Sequence, residues 1–225
     1  MTVAPTLQKG LKRLFSSAVL EVIAAILVIV GLIAMIAGLA AAVADGLSGG
    51  TGTGGLAAAG IGGILTLVAG ILVIIAAILS LIGIINTSKE NNKFKTALYA
   101  VLIGLVLSIV SAIVGQSNPT ISSSLNLLVS ICNVVMFLGV CSGVNEVGEK
   151  LGRSDFLGKY NTIVILYGLS ALLSFIGGLM ALSTIGYVLR IVGSLCSLIS
   201  FIMYMGYLRK AIHAVDGVPV ADQYQ

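Results

Sequence analysis

Two ionisable side chains stand inside long apolar runs of this sequence, Glu21 and Arg190, and they are the first residues to which chemistry could be attached. A carboxylate within a membrane is a candidate for proton or ion handling, and an arginine there also motivates a transport reading, since either costs about 3 kcal/mol at the bilayer centre. Depth decides between function and anchoring. Glu21 lies less than one turn into a run that starts near Ala18, and Arg190 about one turn into a run that starts near Tyr187. Long side chains at such depths reach the headgroups. The expectation is therefore that Glu21 is interfacial and Arg190 snorkels. Because the two fall near opposite membrane faces, they are not expected to form one buried pair. Asn126 and Asn133, with Tyr99, Tyr167, Thr66 and many serines, are the other polar groups within apolar runs. They could line a polar pathway, but hydroxyls and amides also hydrogen-bond between packed helices, and packing is the expected role.

Other chemistry finds little footing. The single histidine, His213, lies beyond the last apolar run, and neither an HExxH pattern nor a P-loop occurs. No enzyme, metal site or cofactor is expected. Gly50-x-Gly52-x-x-Gly55 matches a dinucleotide fingerprint in form, but it follows one apolar helix and precedes another. The fingerprint needs a strand before it, so the stretch reads as a flexible connection. Cys132, Cys141 and Cys196 all fall in apolar runs and read as small packing residues.

The elements that must position these residues follow from composition. The chain has 225 residues, 58% hydrophobic and only 9% charged. Soluble domains carry roughly one quarter charged residues, so the solvent is lipid. Six runs are near the length of about twenty residues that spans a bilayer. They cover about Ala18–Ala44, Leu56–Ile85, Thr96–Gly115, Ser123–Val144, Thr162–Leu182 and Tyr187–Leu208. The small residues before Asp45 resemble a signal-peptidase site, but the first run is about twice the length of a signal peptide's apolar region and is read as a span.

Of the twelve Lys and Arg residues, all but Arg190 lie in the N-terminal segment, the second and fourth connections, or the C-terminal tail. The positive-inside rule then predicts six crossings with both termini cytoplasmic. Lys9, Lys12 and Arg13 alternate with Leu7, Leu11 and Leu14 at helical spacing, as in a segment lying along the membrane surface.

Small residues recur within the runs. Lys93–Ala112 aligns with Lys159–Gly178, and a four-residue ladder stands in each: Gly104, Ser108, Ala112 in one, Ser170, Ser174, Gly178 in the other. Gly139-x3-Gly143, Ala34-x3-Gly38 and Ala59-x3-Gly63 have the same spacing. Such positions let helix backbones approach closely.

The fold expected is all-α and integral to the membrane: six transmembrane helices, read as three repeated hairpins with an inverted three-plus-three split as the alternative. A basic amphipathic segment covers residues 1–17, the transmembrane domain 18–208 and a cytoplasmic tail 209–225. The partners expected are the lipid bilayer and a second copy or another membrane protein, with no nucleic acid. The function expected is a scaffold or accessory subunit of the cell membrane acting through helix packing. The alternative is a transporter or channel for a small solute, lipid or ion.

Overall fold

Six helices account for the described residues of the computed structural model, which are 5–48, 50–115, 118–153, 155–180 and 183–216. They are α1 (Pro5–Leu47), α2 (Thr53–Ser88), α3 (Asn92–Gly115), α4 (Pro119–Lys150), α5 (Asp155–Leu179) and α6 (Thr184–Asp216). Each is long and apolar enough to cross a membrane. Part of the expected cytoplasmic tail, from Gly217 onward, lies outside the described residues. So do residues 1–4.

Local chemistry sets the boundaries. Asn118 caps α4 by accepting from the Ile121 amide at 3.3 Å, and Pro119 follows at the first helical position, where its missing N–H costs nothing. At the other end Gly152 takes φ +70°, and the Arg153 amide reaches back to the Gly148 carbonyl at 3.0 Å. That is a glycine-terminated helix end. Ser183 caps α6, accepting from the Gly186 amide at 3.0 Å. Asn91 accepts from the Lys93 amide at 2.7 Å where α3 begins.

The chain divides into two compact units, residues 16–80 and residues 1–15 with 81–225. The first is an antiparallel hairpin, the apolar lengths of α1 and α2. Its outward faces carry exposed Ile26, Ile33, Ile36, Ile64, Leu67 and Ile74. A soluble protein does not leave such a surface bare, whereas lipid accepts it.

The second unit holds hairpins α3–α4 and α5–α6, whose main packing is within each pair, with α4 also touching α5 and α6. Its largest buried side chains gather where the basic residues are. Leu11, Ile84, Phe94, Val144, Phe156, Tyr207 and Leu208 come from all six helices and are all fully buried. The other end of this unit is lined outward by exposed Ile109, Ile113, Phe175 and Val188.

The basic N-terminal segment forms the start of α1, with Leu7 7% exposed, Leu11 0% and Leu14 3%. A Cβ on Gly10 would stand 2.9 Å from the Gly83 carbonyl oxygen, so this part of α1 packs directly on the end of α2. Thr6 donates to Glu90 at 2.6 Å, and Lys12 pairs with Asp216 at 3.2 Å, while Gln8 also donates to Asp216. Protein, not lipid, covers the leucines.

Candidate functional site

Close helix approach runs along a step of seven residues, with some four-residue neighbours such as Gly139 and Gly143 also in contact. Ser17, Ala24, Gly31 and Gly38 of α1 are buried, and so are Ala76, Ala69, Gly62 and Gly55 of α2, which run the opposite way at the same step. Ser17 Oγ donates to the Ala76 carbonyl at 2.9 Å. A Cβ on Gly31 would stand 2.8 Å from the Gly62 oxygen, and one on Gly38 would stand 2.5 Å from the Gly55 oxygen. Real Cβ atoms do not come that close, so only glycine allows these backbones to touch.

The other hairpins repeat the arrangement. In α3–α4, buried Ala97, Gly104 and Ser111 advance by seven, with Gly139 against Ala97 and Cys132 against Gly104. Ser111 donates to Asn126 at 3.0 Å. In α5–α6, Phe156, Ile163, Ser170 and Gly177 meet Tyr207, Ser200, Gly193 and Gly186. The pairs are direct. The Phe156 and Tyr207 rings lie 5.5 Å apart. Ser200 donates to the Ile163 carbonyl at 3.2 Å. A Cβ on Gly193 would stand 3.1 Å from the Ser170 oxygen, and one on Gly177 would stand 2.8 Å from the Gly186 oxygen. A seven-residue seam stays in register only if the two helices coil around each other left-handedly, because seven residues fall just short of two turns.

Moving Ala97, Gly104 and Ser111 along by 66 residues gives Ile163, Ser170 and Gly177, which is the shift that aligns Lys93–Ala112 with Lys159–Gly178. The two segments therefore occupy equivalent places in their hairpins, although the seam lies beside the predicted ladder. Gly104, Gly139, Gly143 and Ser170 are in helix contact, Gly143 against the Phe94 ring. Ser174 is exposed, but its Oγ lies over Gly193. Ser108 turns back to its own helix, donating to the Gly104 carbonyl at 2.8 Å. Gly178 has open space where a Cβ would stand, and its neighbour Gly177 makes the contact instead.

The intramembrane polar residues are dispersed. Glu21 is half-buried and lies 3.2 Å from Ser17 Oγ, whose one proton is shared between this carboxylate and the nearer Ala76 carbonyl. Asn126 accepts from Ser111 across the α3–α4 seam, while Asn133 is exposed, with no hydrogen-bond partner for its amide among the described residues. Arg190 is exposed, and its Nε donates to the Gly177 carbonyl at 3.1 Å. Gly177 lies in the last turn of α5, where carbonyls have no partner within their own helix and a cation suits the helix dipole. Arg190 thus closes a helix end. No group of three or more His, Cys, Asp or Glu side chains placed to hold a metal occurs among the described residues.

Sequence reasoning missed a cluster between α4, α5 and α6 at the basic end. Tyr207 donates to the Cys141 carbonyl at 3.4 Å, Ser142 and Tyr160 hydroxyls lie 3.0 Å apart, and Phe137 stacks on Tyr167 with ring centroids 3.9 Å apart. It also missed Gly31, Gly62, Gly186 and Gly193. Their seven-residue spacing was the signal that could have found them.

Fold and contacts together define a six-helix, multi-pass membrane protein in lipid contact. Compared with protein-family models, with curated proteins and with solved structures, the chain finds no match in any of the three.

Proposed function

We propose that the protein is a non-enzymatic scaffold or accessory subunit of the cell membrane, with both termini in the cytoplasm, working through helix packing with a second copy or another membrane protein. The observation that carries this reading is the economy of its polar groups. Ser17, Thr66, Ser108, Asn126, Ser130, Ser170 and Ser200 each bond to their own helix or to the facing helix of their hairpin. Groups engaged in this way hold helices together and offer little to a passing solute. The seams support the same reading, because backbones in contact at Gly38 and Gly55 leave no room for a path between those helices.

The test is ion and proton flux through the full chain in sealed vesicles under an imposed potential. The proposal expects flux at the level of protein-free vesicles, for wild type and for Glu21→Gln alike. Flux well above that level and abolished by Glu21→Gln would replace it with the transport reading.

A further inference from the structure

We propose that Arg190, flanked by Tyr187, binds the phosphodiester of a phospholipid in the leaflet at the α5–α6 turn. The arginine lies six residues beyond the start of α6 at Thr184, which puts its Cα about 9 Å along the axis from that end. Side chains on a helix lean toward its N-terminus, which here is the turn. A Cβ on Gly177 would stand 2.8 Å from both the Gly186 oxygen and Arg190 Cγ and 3.1 Å from the Arg190 amide nitrogen, so Gly177 lies against the Gly186–Arg190 turn of α6 and contacts the root of the arginine side chain. Nε is bonded there. The two Nη atoms lie beyond it and have no partner among the described residues, which leaves four N–H donors in the planar fork that suits a phosphate.

Exposure points the same way. Arg190 is exposed to the surroundings of the helix, and Tyr187, 62% exposed, stands three residues nearer the turn on the same face. A tyrosine with its ring in lipid and its hydroxyl at the headgroups is a common interfacial anchor. The bond to Gly177 fixes the guanidinium, so the fork is held in place before the lipid arrives.

The test uses the full chain with arginine labelled in ¹⁵N, in vesicles of phosphatidylcholine and in vesicles of a phosphate-free glycolipid. Solid-state NMR should find a ³¹P nucleus within about 5 Å of a guanidinium Nη in phosphatidylcholine, by hydrogen-bond geometry. Arg190→Lys should remove that signal, and no phosphorus contact should arise in the glycolipid on adding millimolar inorganic phosphate. Native mass spectrometry should show Arg190→Gln retaining phosphatidylcholine about tenfold more weakly, as expected for losing a charge-assisted hydrogen-bond pair. A ³¹P contact that survives Arg190→Lys would place the lipid at another arginine and overturn the proposal. Equal contact with inorganic phosphate would make this a site for free anions and overturn the lipid assignment. Absence of any contact in a wild-type protein that forms dimers would give Arg190 to an acidic group of a second copy, and the proposal would fail.

Discussion

Gly177 and Gly178 are neighbours in the last turns of α5, and alanine at one should do what alanine at the other does not. A Cβ at position 177 would stand 2.8 Å from the Gly186 carbonyl oxygen, against 3.4–4 Å for ordinary contact, while a Cβ at 178 meets nothing within 4 Å. Gly177→Ala must therefore push α6 away by about 0.6 Å or bend the turn, and overpacking of that kind costs about 1–3 kcal/mol. Either substitution gains about 1 kcal/mol from helix propensity, so the difference between the two variants isolates the overpacking cost. Gly177→Ala should come out between neutral and about 2 kcal/mol less stable than wild type, and Gly178→Ala neutral or slightly more stable. The measurement is unfolding by SDS in mixed micelles, followed by circular dichroism, with both variants in the same detergent. Equal stability of the two variants, or the larger loss at Gly178, would refute the seven-residue seam and restore the four-residue ladder.

Two further outcomes are expected. A cysteine introduced at Ser48 should react with an impermeant thiol reagent added outside intact cells and one at Asn92 should not; the reverse pattern would invert the orientation drawn from the positive-inside rule. Asp216 lies eight residues past the end of the last span at Leu208, and the hydrogen bond from Gln8, reinforced by Lys12, holds its carboxyl below the usual aspartate range. The sign follows from the lowered value: the contact's contribution is complete above the ordinary aspartate pKa and is lost as pH falls through the lower folded value. Hydrogen-exchange protection in residues 5–14, taken relative to the intrinsic exchange rate at each pH, should therefore fall below about pH 4 in wild type and change less there in Asp216→Asn. Identical profiles would show that Asp216 does not hold the start of α1.

Much of the fold was legible because lipid imposes simple rules. Backbone groups must bond within their own helix, so apolar runs of the right length announce themselves, and the placement of lysine and arginine separates the two ends. The equivalence of α3 and α5 was also legible, since an aligned lead-in and aligned small residues survive in both. The register of the seams was not. Positions four and seven residues apart share a helix face, and in a chain with 28 glycines small residues stand at both spacings. Gly177 and Gly178 differ only in what faces them, which is Gly186 and Arg190 for one and nothing for the other. The same limit hid the fate of Leu7, Leu11 and Leu14. An amphipathic segment shows that one face will be covered, while the cover at Gly10, Gly83 with Thr87, lies more than seventy residues away in the chain.

The antiparallel seams also set where this chain can change length. Inserting one residue inside a helix, say between Gly31 and Gly38, turns everything beyond it by about 100° and swings the following glycines away from their partners. Inserting one in a turn leaves both helices as they were, because each pair is matched by its distance from the turn on either side. The last seam pairs before the three turns, Gly38 with Gly55, Ser111 with Asn126 and Gly177 with Gly186, close connections of different length. Tolerance to insertion should thus alternate along the sequence, nearly free at the turns and prohibitive within the helices, so that a scan of single-residue insertions would trace the hairpins without any structural measurement.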